Sequence, residues 1–276
     1  MILSSYIQRI SQLYDEKEAR EIAFRLLEHH TQKSRIELLI TQQLSDSVCC
    51  NIEKDLRRLL NHEPIQYILG ESFFYGYRFK VDTSVLIPRR ETEELVHFVA
   101  LEYQSKENLK ILDIGTGSGC IAIMLAKLLP QAEVFAVEKS EKALEVAHKN
   151  ALLHQVSVHF IHADVFSTFY SKLPAMDIIV SNPPYVTESE KRLIRPNVFF
   201  EPAEALFVPD EQPLVFYERI AELADILLVP CGKVFCEINE RFPCQVKELF
   251  QKAGFEGSVW QDMQQKFRFL KATRMN

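Results

Sequence analysis

Apolar residues recur at three- and four-residue intervals through the first part of the chain. Ile2, Tyr6, Ile10, Leu13 and Tyr14 fall on one face with charges between them, which predicts an amphipathic helix. "EAREIAFRLLEHH" and "SRIELLITQQL" continue the period, and "VCCNIEKDLRRLL" predicts a further helix that ends before Pro64. The first glycine is Gly70, so the stretch lacks tight glycine turns and reads as a compact helical unit over residues 1–70. It is either a cap on a larger domain or a docking module for a macromolecule, and the pattern favours neither.

The period then changes. Aromatic and β-branched residues around Gly76 predict a β-hairpin that serves as a linker over 71–90. "RETEELVHFVALEYQ" reads as a helix. Strands and helices alternate after it. The strands are "KILDIG", "AEVFAVE", "SVHFIHADV", "MDIIVSN" and "GKVFCEIN", and the helices are "CIAIMLAKLL", "SEKALEVAHKNALLH" (with Ser140 as cap), "PLVFYERIAELADILL" and "FPCQVKELFQKAG". "SVWQDMQQKFRFLKAT" ends the chain as two pairing strands. The alternation predicts a doubly wound α/β domain over 91–276, with a mostly parallel, seven-stranded sheet and an antiparallel edge.

Composition narrows the function classes. With 276 residues, 47% hydrophobic and 25% charged, the chain can bury a sizeable core. A formal net charge of −6 disfavours a partner gripped mainly through phosphates, so no direct nucleic-acid binding is expected. The six cysteines (Cys49, Cys50, Cys120, Cys231, Cys236 and Cys244) show no C-x-x-C or zinc spacing and are expected as reduced, packed thiols in a cytoplasmic protein. No signal peptide and no membrane span are read, and no metal is expected.

The chemistry gathers at strand ends. In "LDIGTGSGC", Gly115, Gly117 and Gly119 let the backbone approach a ligand where the first strand meets its helix. The spacing is G-x-G-x-G without a P-loop Lys, and Asp113 precedes it. A carboxylate there would repel a diphosphate but suits a ligand bearing ammonium and sulfonium, as S-adenosylmethionine does. Glu138, about 20 residues on, is placed to accept from ribose hydroxyls. Asp164 is expected to accept from the adenine amine, with Val165 beside the ring. The plainer account of each is a tight turn and solvated strand ends; their occurrence in order along one sheet edge favours a cofactor site.

The fourth strand delivers Ser181-Asn182-Pro183-Pro184-Tyr185 to that edge. The proline pair ends the strand and stiffens the backbone on either side of it. An amide or arylamine nitrogen is a poor nucleophile because its lone pair is delocalised. The Asn182 oxygen and the Pro183 carbonyl can each accept one N–H of a substrate –NH2, aim its lone pair and stabilise the charge that develops. Tyr185 offers a face for a planar group.

"LDIGTGSG", "AVEKS", "HADVF" and "SNPPYV" together resemble the Asn-Pro-Pro-Tyr class of S-adenosylmethionine-dependent amino methyltransferases. "EPIQYILGESFFYGYRFKVDTSVLIPRRETEELV" and "FFEPAEAL" are similar to the release-factor glutamine methyltransferases of the HemK type. The resemblance implies a Rossmann-like methyltransferase domain behind a helical, substrate-docking domain. It implies N5 methylation of the Gln in the Gly-Gly-Gln loop of class 1 peptide chain release factors, with S-adenosylhomocysteine as product, by a protein expected as a monomer. Asn182, Pro183, Pro184 and Tyr185 would bind the substrate amide. Asp113, Gly115, Thr116, Gly117, Ser118, Gly119, Glu138, Asp164, Val165 and Asn182 would line the cofactor site. "PDEQPLVFY" and "DMQQKFRFL" lack glycines that the family carries, and Arg90 stands where a second proline is common. The alternatives are a nucleic-acid amino methyltransferase acting on adenine N6 or guanine N2, and a non-catalytic cofactor-binding adaptor. Phe73, Phe74, Tyr75 and Tyr77 read as hairpin or core packing, or as neighbours of the site. Arg89 and Glu91 read as an entrance or an exposed ion pair, and His29, His30 and His62 as structural.

Overall fold

The computed structural model describes residues 2–41 and 43–275, and Gln42, within the predicted "SRIELLITQQL" helix, lies outside them. The described residues form two compact units: residues up to Glu71 together with Arg195–Phe200, and Ser72–Ile194 together with Glu201 onward.

The first unit holds α1 (Ile2–Ile10), α2 (Glu16–Thr31), α3 (Arg35–Ile40), α4 (Asp46–Leu60) and α5 (Ile65–Leu69). Side chains set the helix starts: Asp15 accepts from the Glu18 N–H, and Ser34 makes a capping box with Glu37. Its core buries Ile10, Ala23, Leu26, Ile52, Leu56 and Leu59. Leu13, predicted on the first apolar face, lies past the end of α1 and is 41% exposed. His30 pairs with Asp55 at 2.8 Å.

The hairpin strands are β1 (Glu71–Phe74), of which Ser72 onward belongs to the second unit, and β2 (Tyr77–Lys80), joined through Tyr75 and Gly76 at φ 54 and 76. Phe74 is buried edge-on against Phe79 with ring centroids 5.9 Å apart, while Phe73 and Tyr77 face solvent. Next come α6 (Arg90–Tyr103), β3 (Lys110–Ile114), α7 (Cys120–Leu128), β4 (Glu133–Glu138), α8 (Glu141–His154), β5 (His159–His162) and β6 (Met176–Ser181). After short 3-10 turns and the strand pair β7 (Val186–Thr187) and β8 (Phe207–Val208) come α9 (Val215–Leu227), β9 (Leu228–Glu237), α10 (Pro243–Lys252), β10 (Phe255–Gln261) and β11 (Phe267–Arg274). Ser140 caps α8 as expected, accepting from the Ala143 N–H.

The sheet order is β10-β11-β9-β6-β3-β4-β5. β11 runs antiparallel to both β9 and β10, so the reversed strand is inserted one place in from the edge rather than forming it. The β10–β11 turn contains no glycine. There Gln265 takes φ 64, and Asp262 holds the turn by accepting from the Gln264 and Lys266 N–H groups. Cys120 and Cys236 are buried as expected; Cys50, Cys231 and Cys244 are exposed, because they sit on outward helix faces and an irregular strand start rather than in the core. No described helix is long and apolar enough to cross a membrane.

Chain order places the site. β3, β4 and β5 step outward in one direction, and β6 returns to the other side of β3. The loops after β3 and β6 therefore diverge at a switch point, where open α/β sheets leave a crevice. Ile114 is in register with Val137 and Ser181, and Ser181 with Cys236. The next residues (Gly115, Glu138, Asn182 and Glu237) form one row along the carboxyl edge.

Candidate active site

Two cavities meet at this row, both within the second unit. The larger, about 840 Å³, is lined by Gly115, Gly117, Glu138, Asp164, Val165 and Asn182 among others. The smaller, about 40 Å³, is lined by Leu86, Arg89, Asn182, Pro183, Tyr185, Val186, Ala205 and Leu206. Leu86, Asn182, Pro183 and Ala205 belong to both and form their common wall.

The glycine loop is held from behind by a carboxylate. Glu138 accepts from the Gly117 N–H through one oxygen and from the Ser140 N–H through the other, both at 2.9 Å. Gly117 has φ 54 and open space where a Cβ would stand. At Gly119, φ is 82 and a Cβ would lie 2.9 Å from Ile123 Cδ1 and 3.2 Å from Ala147 Cβ, so this glycine lets α7 and α8 approach. Asn150, buried on α8, donates to the Ser118 carbonyl and exchanges two bonds with the backbone of Lys80.

Asp113, Thr116 and Ser118 are buried, and none of the three lines the cavity. Asp113 accepts from the Thr116 hydroxyl and the Ala122 N–H, and its Oδ1 has no partner. The carboxylate expected beside a ligand cation is instead turned into the β3–α7 junction. Burial, reinforced by the Glu138 charge, pushes its carboxyl up to about 7. Asp164 and Val165 do line the cavity. The Phe166 N–H, and then Lys139 at 3.2 Å, hold the Asp164 carboxyl below its ordinary value.

The Asn-Pro-Pro-Tyr segment is tied to the end of β9. Tyr185 donates its hydroxyl to Glu237 Oε1 at 2.8 Å, and the Asn239 amide donates to the Tyr185 carbonyl at 2.9 Å. Burial and the Glu237 charge raise the Tyr185 phenol, so it stays a donor. Asn182 donates through Nδ2 to Thr92 Oγ1 at 3.0 Å, and Thr92 donates to Glu237 Oε2 at 2.6 Å. Burial pushes the Glu237 carboxyl above its ordinary value, while Thr92, Tyr185 and Arg268 pull it back. Arg89 is not an exposed ion pair with Glu91. It pairs with the buried Glu201 at 2.5 Å, whose other oxygen accepts from the Ile87 N–H. Glu201 thus fastens the segment bearing Leu86 and Arg89 beside the smaller cavity.

Periodicity alone does not mark Thr92 and Glu237 as site residues. Two signals set them apart: Thr92 falls on the apolar stripe of α6 with Val96, Val99 and Tyr103, and Glu237 is a lone carboxylate ending an apolar strand, as Glu138 is. The aromatic cluster Phe73 to Tyr77 lines neither cavity. Among the described residues no cluster of His, Cys, Asp and Glu could hold a metal ion.

Comparison with known proteins gives matches along nearly the whole chain. Residues 2–70 match the PrmC N-terminal domain, and residues 95–252 match the Methyltransferase small domain. A release factor glutamine methyltransferase of Flavobacterium psychrophilum is 44% identical over 93% of this chain and 92% of its own length. One of Bacteroides thetaiotaomicron is 41% identical over 99% of both. Among solved structures, a methyltransferase from Pyrococcus furiosus shares the fold, with a TM-score of 0.56 and 19% identity over 81% of this chain and all of that one.

Proposed function

We propose that this chain, which belongs to the release factor glutamine methyltransferase family, methylates the side-chain nitrogen of the Gln in the Gly-Gly-Gln loop of class 1 peptide chain release factors. The observation that carries the reading is the shared wall. Asn182 and Pro183 face both a cavity of cofactor size and a small one beside it.

The residues fit S-adenosylmethionine. The large cavity has the volume of a nucleoside-sized site, glycine backbone at one end, and the carboxylates of Glu138 and Asp164 within its lining. Glu138, Asp164, Val165, Gly115 and Gly117 are the residues assigned to hold it, with Asp113, Thr116, Ser118 and Gly119 shaping the loop from behind. When bound, S-adenosylmethionine supplies a methyl group already activated on sulfonium and leaves as S-adenosylhomocysteine.

The chain's own work is presentation. Asn182 Nδ2 is committed to Thr92, so Oδ1 is the end left to meet a substrate N–H. The Pro183 carbonyl accepts the second N–H, and two acceptors at fixed positions turn the nitrogen lone pair out of conjugation and toward the donor cavity. The same acceptors gain strength as that nitrogen becomes positive, which lowers the barrier selectively. Pro184 keeps the segment stiff, and the Tyr185 ring walls the small cavity while its hydroxyl is spent on Glu237. The small cavity has room for a few atoms, on the order of an amide head group. The residues 1–70 domain is assigned to docking the release factor, on the strength of its family match; residues 71–90 are the hairpin linker and 91–276 the transferase domain. The reading includes a monomeric cytoplasmic protein.

The test is transfer of labelled methyl from S-adenosylmethionine to a purified class 1 release factor, with the loop-Gln-replaced factor, DNA and RNA in parallel. Label on the intact factor alone is expected. Label on nucleic acid would move the chain to the base methyltransferases, and binding of cofactor without any transfer would make it an adaptor.

A further inference from the structure

The segment carrying Asn182 ends on a carboxylate that Asn182 never touches directly. Glu237, 1% exposed at the end of β9, receives the Tyr185 hydroxyl on Oε1 and the Thr92 hydroxyl on Oε2. A threonine hydroxyl has one proton to give. Thr92 gives it to Glu237, so toward Asn182 it can only accept, and it accepts from Nδ2 at 3.0 Å. An amide turned the other way would set Oδ1 against lone pairs. We infer that Thr92 and Glu237 are positioning residues that fix which way round the Asn182 amide faces, and thereby select a substrate that donates N–H rather than one that accepts.

The polarity runs in one direction along the chain of bonds: carboxylate, hydroxyl, amide N–H, amide oxygen. Its outer end is an acceptor because both oxygens at its inner end take hydroxyl protons. Hydrogen bonds linked in this way polarise one another. Positive charge growing on a substrate nitrogen meets this oriented dipole chain with the favourable sign. The groups supplying the relay come from three places: the first turn of α6, the loop after β6 and the end of β9. Among the described residues, no donor engages Asn182 Oδ1.

The inference rests on the methyl-transfer reading, and the test separates the two. Thr92→Val keeps the shape of the side chain and removes the hydroxyl, Thr92→Ser restores the hydroxyl, and Glu237→Gln places an N–H donor where an accepting oxygen stood. Expected with release factor as substrate is a fall in kcat of at least 30-fold for Thr92→Val and Glu237→Gln, with Thr92→Ser within threefold of wild type. KM for S-adenosylmethionine and the melting temperature of the serine variant stay near wild type. A second readout needs no turnover. The Asn182 side-chain NH2, identified in 15N spectra by its loss in Asn182→Asp, is expected to exchange slowly in wild type and Thr92→Ser and at least tenfold faster in Thr92→Val. Wild-type kcat in Thr92→Val, an equal loss in Thr92→Ser, or unchanged exchange overturns the relay. Should wild type methylate no release factor, the functional reading falls, and the exchange comparison still decides the relay.

Discussion

Glu138 and Glu237 each close a strand of the same sheet, and each carboxylate spends both oxygens on hydrogen bonds within the chain. Glu138 grips backbone, the N–H groups of Gly117 and Ser140. Glu237 grips side chains, the hydroxyls of Thr92 and Tyr185. The first therefore sets the path of a loop, whose shape any occupant must match. The second sets the rotamer and polarity of a single functional group. A binding wall tolerates small errors in its lining, whereas an acceptor that must aim a lone pair does not, and side-chain hydroxyls give finer angular control than a loop does.

The largest expected break in this comparison is Asn182→Ala. It removes the posed acceptor and leaves the rest of the cofactor lining, Gly115, Gly117, Glu138, Asp164 and Val165 among it, in place. The rate at saturating substrates should fall by about 10²–10³-fold, with affinity for S-adenosylmethionine within threefold; steady-state kinetics and calorimetric titration check the two halves. Behind the glycine loop, Gly119→Ala forces a side chain into φ 82 and against Ile123. It should cost about 2–3 kcal/mol of stability in urea unfolding, combining backbone strain and overpacking. Glu138→Ala loosens the loop without touching the acceptor. Cofactor affinity should fall by about tenfold while kcat at saturation stays within threefold, a split that calorimetry and kinetics resolve.

The smallest effect concerns Asp113. Its carboxyl sits at about 7 in the fold and near 4 in the unfolded chain, so the folded state keeps a proton that the unfolded state has lost. The Asp113 contribution to stability should decline as pH rises from 4 toward 7 and level off above. Asp113→Asn lacks that slope. Its stability relative to wild type should improve by about 1 kcal/mol between pH 6 and 7, read from urea midpoints. A flat difference would show that Asp113 is charged in the fold.

The sheet and its glycine loop were legible because strand and helix periods alternate, and because Gly115, Gly117 and Gly119 mark the first crossover. Glu138, Asp164, Val165 and Asn182 could be placed at the edge by counting to strand ends. Periodicity cannot say which way a strand-end side chain turns, and so Asp113 was expected in the cavity when it packs behind the loop. The relay was out of reach for another reason: its bonds join residues 90, 145 and 52 positions apart. Residues 195–200 carry no period and gave no sign that they associate with the helical unit.

Asn150 has a consequence for how distant parts of the second unit are coupled. Its three bonds span 70 and 32 residues of chain, reaching β2 and the glycine loop. Holding such distant segments together costs loop-closure entropy that grows with the logarithm of their spacing. One buried side chain thus fixes the seat of the hairpin and the direction of the Ser118 carbonyl together. Loss of the Asn150 amide would therefore loosen the hairpin and the loop behind the cavity at once, although neither touches the other in sequence.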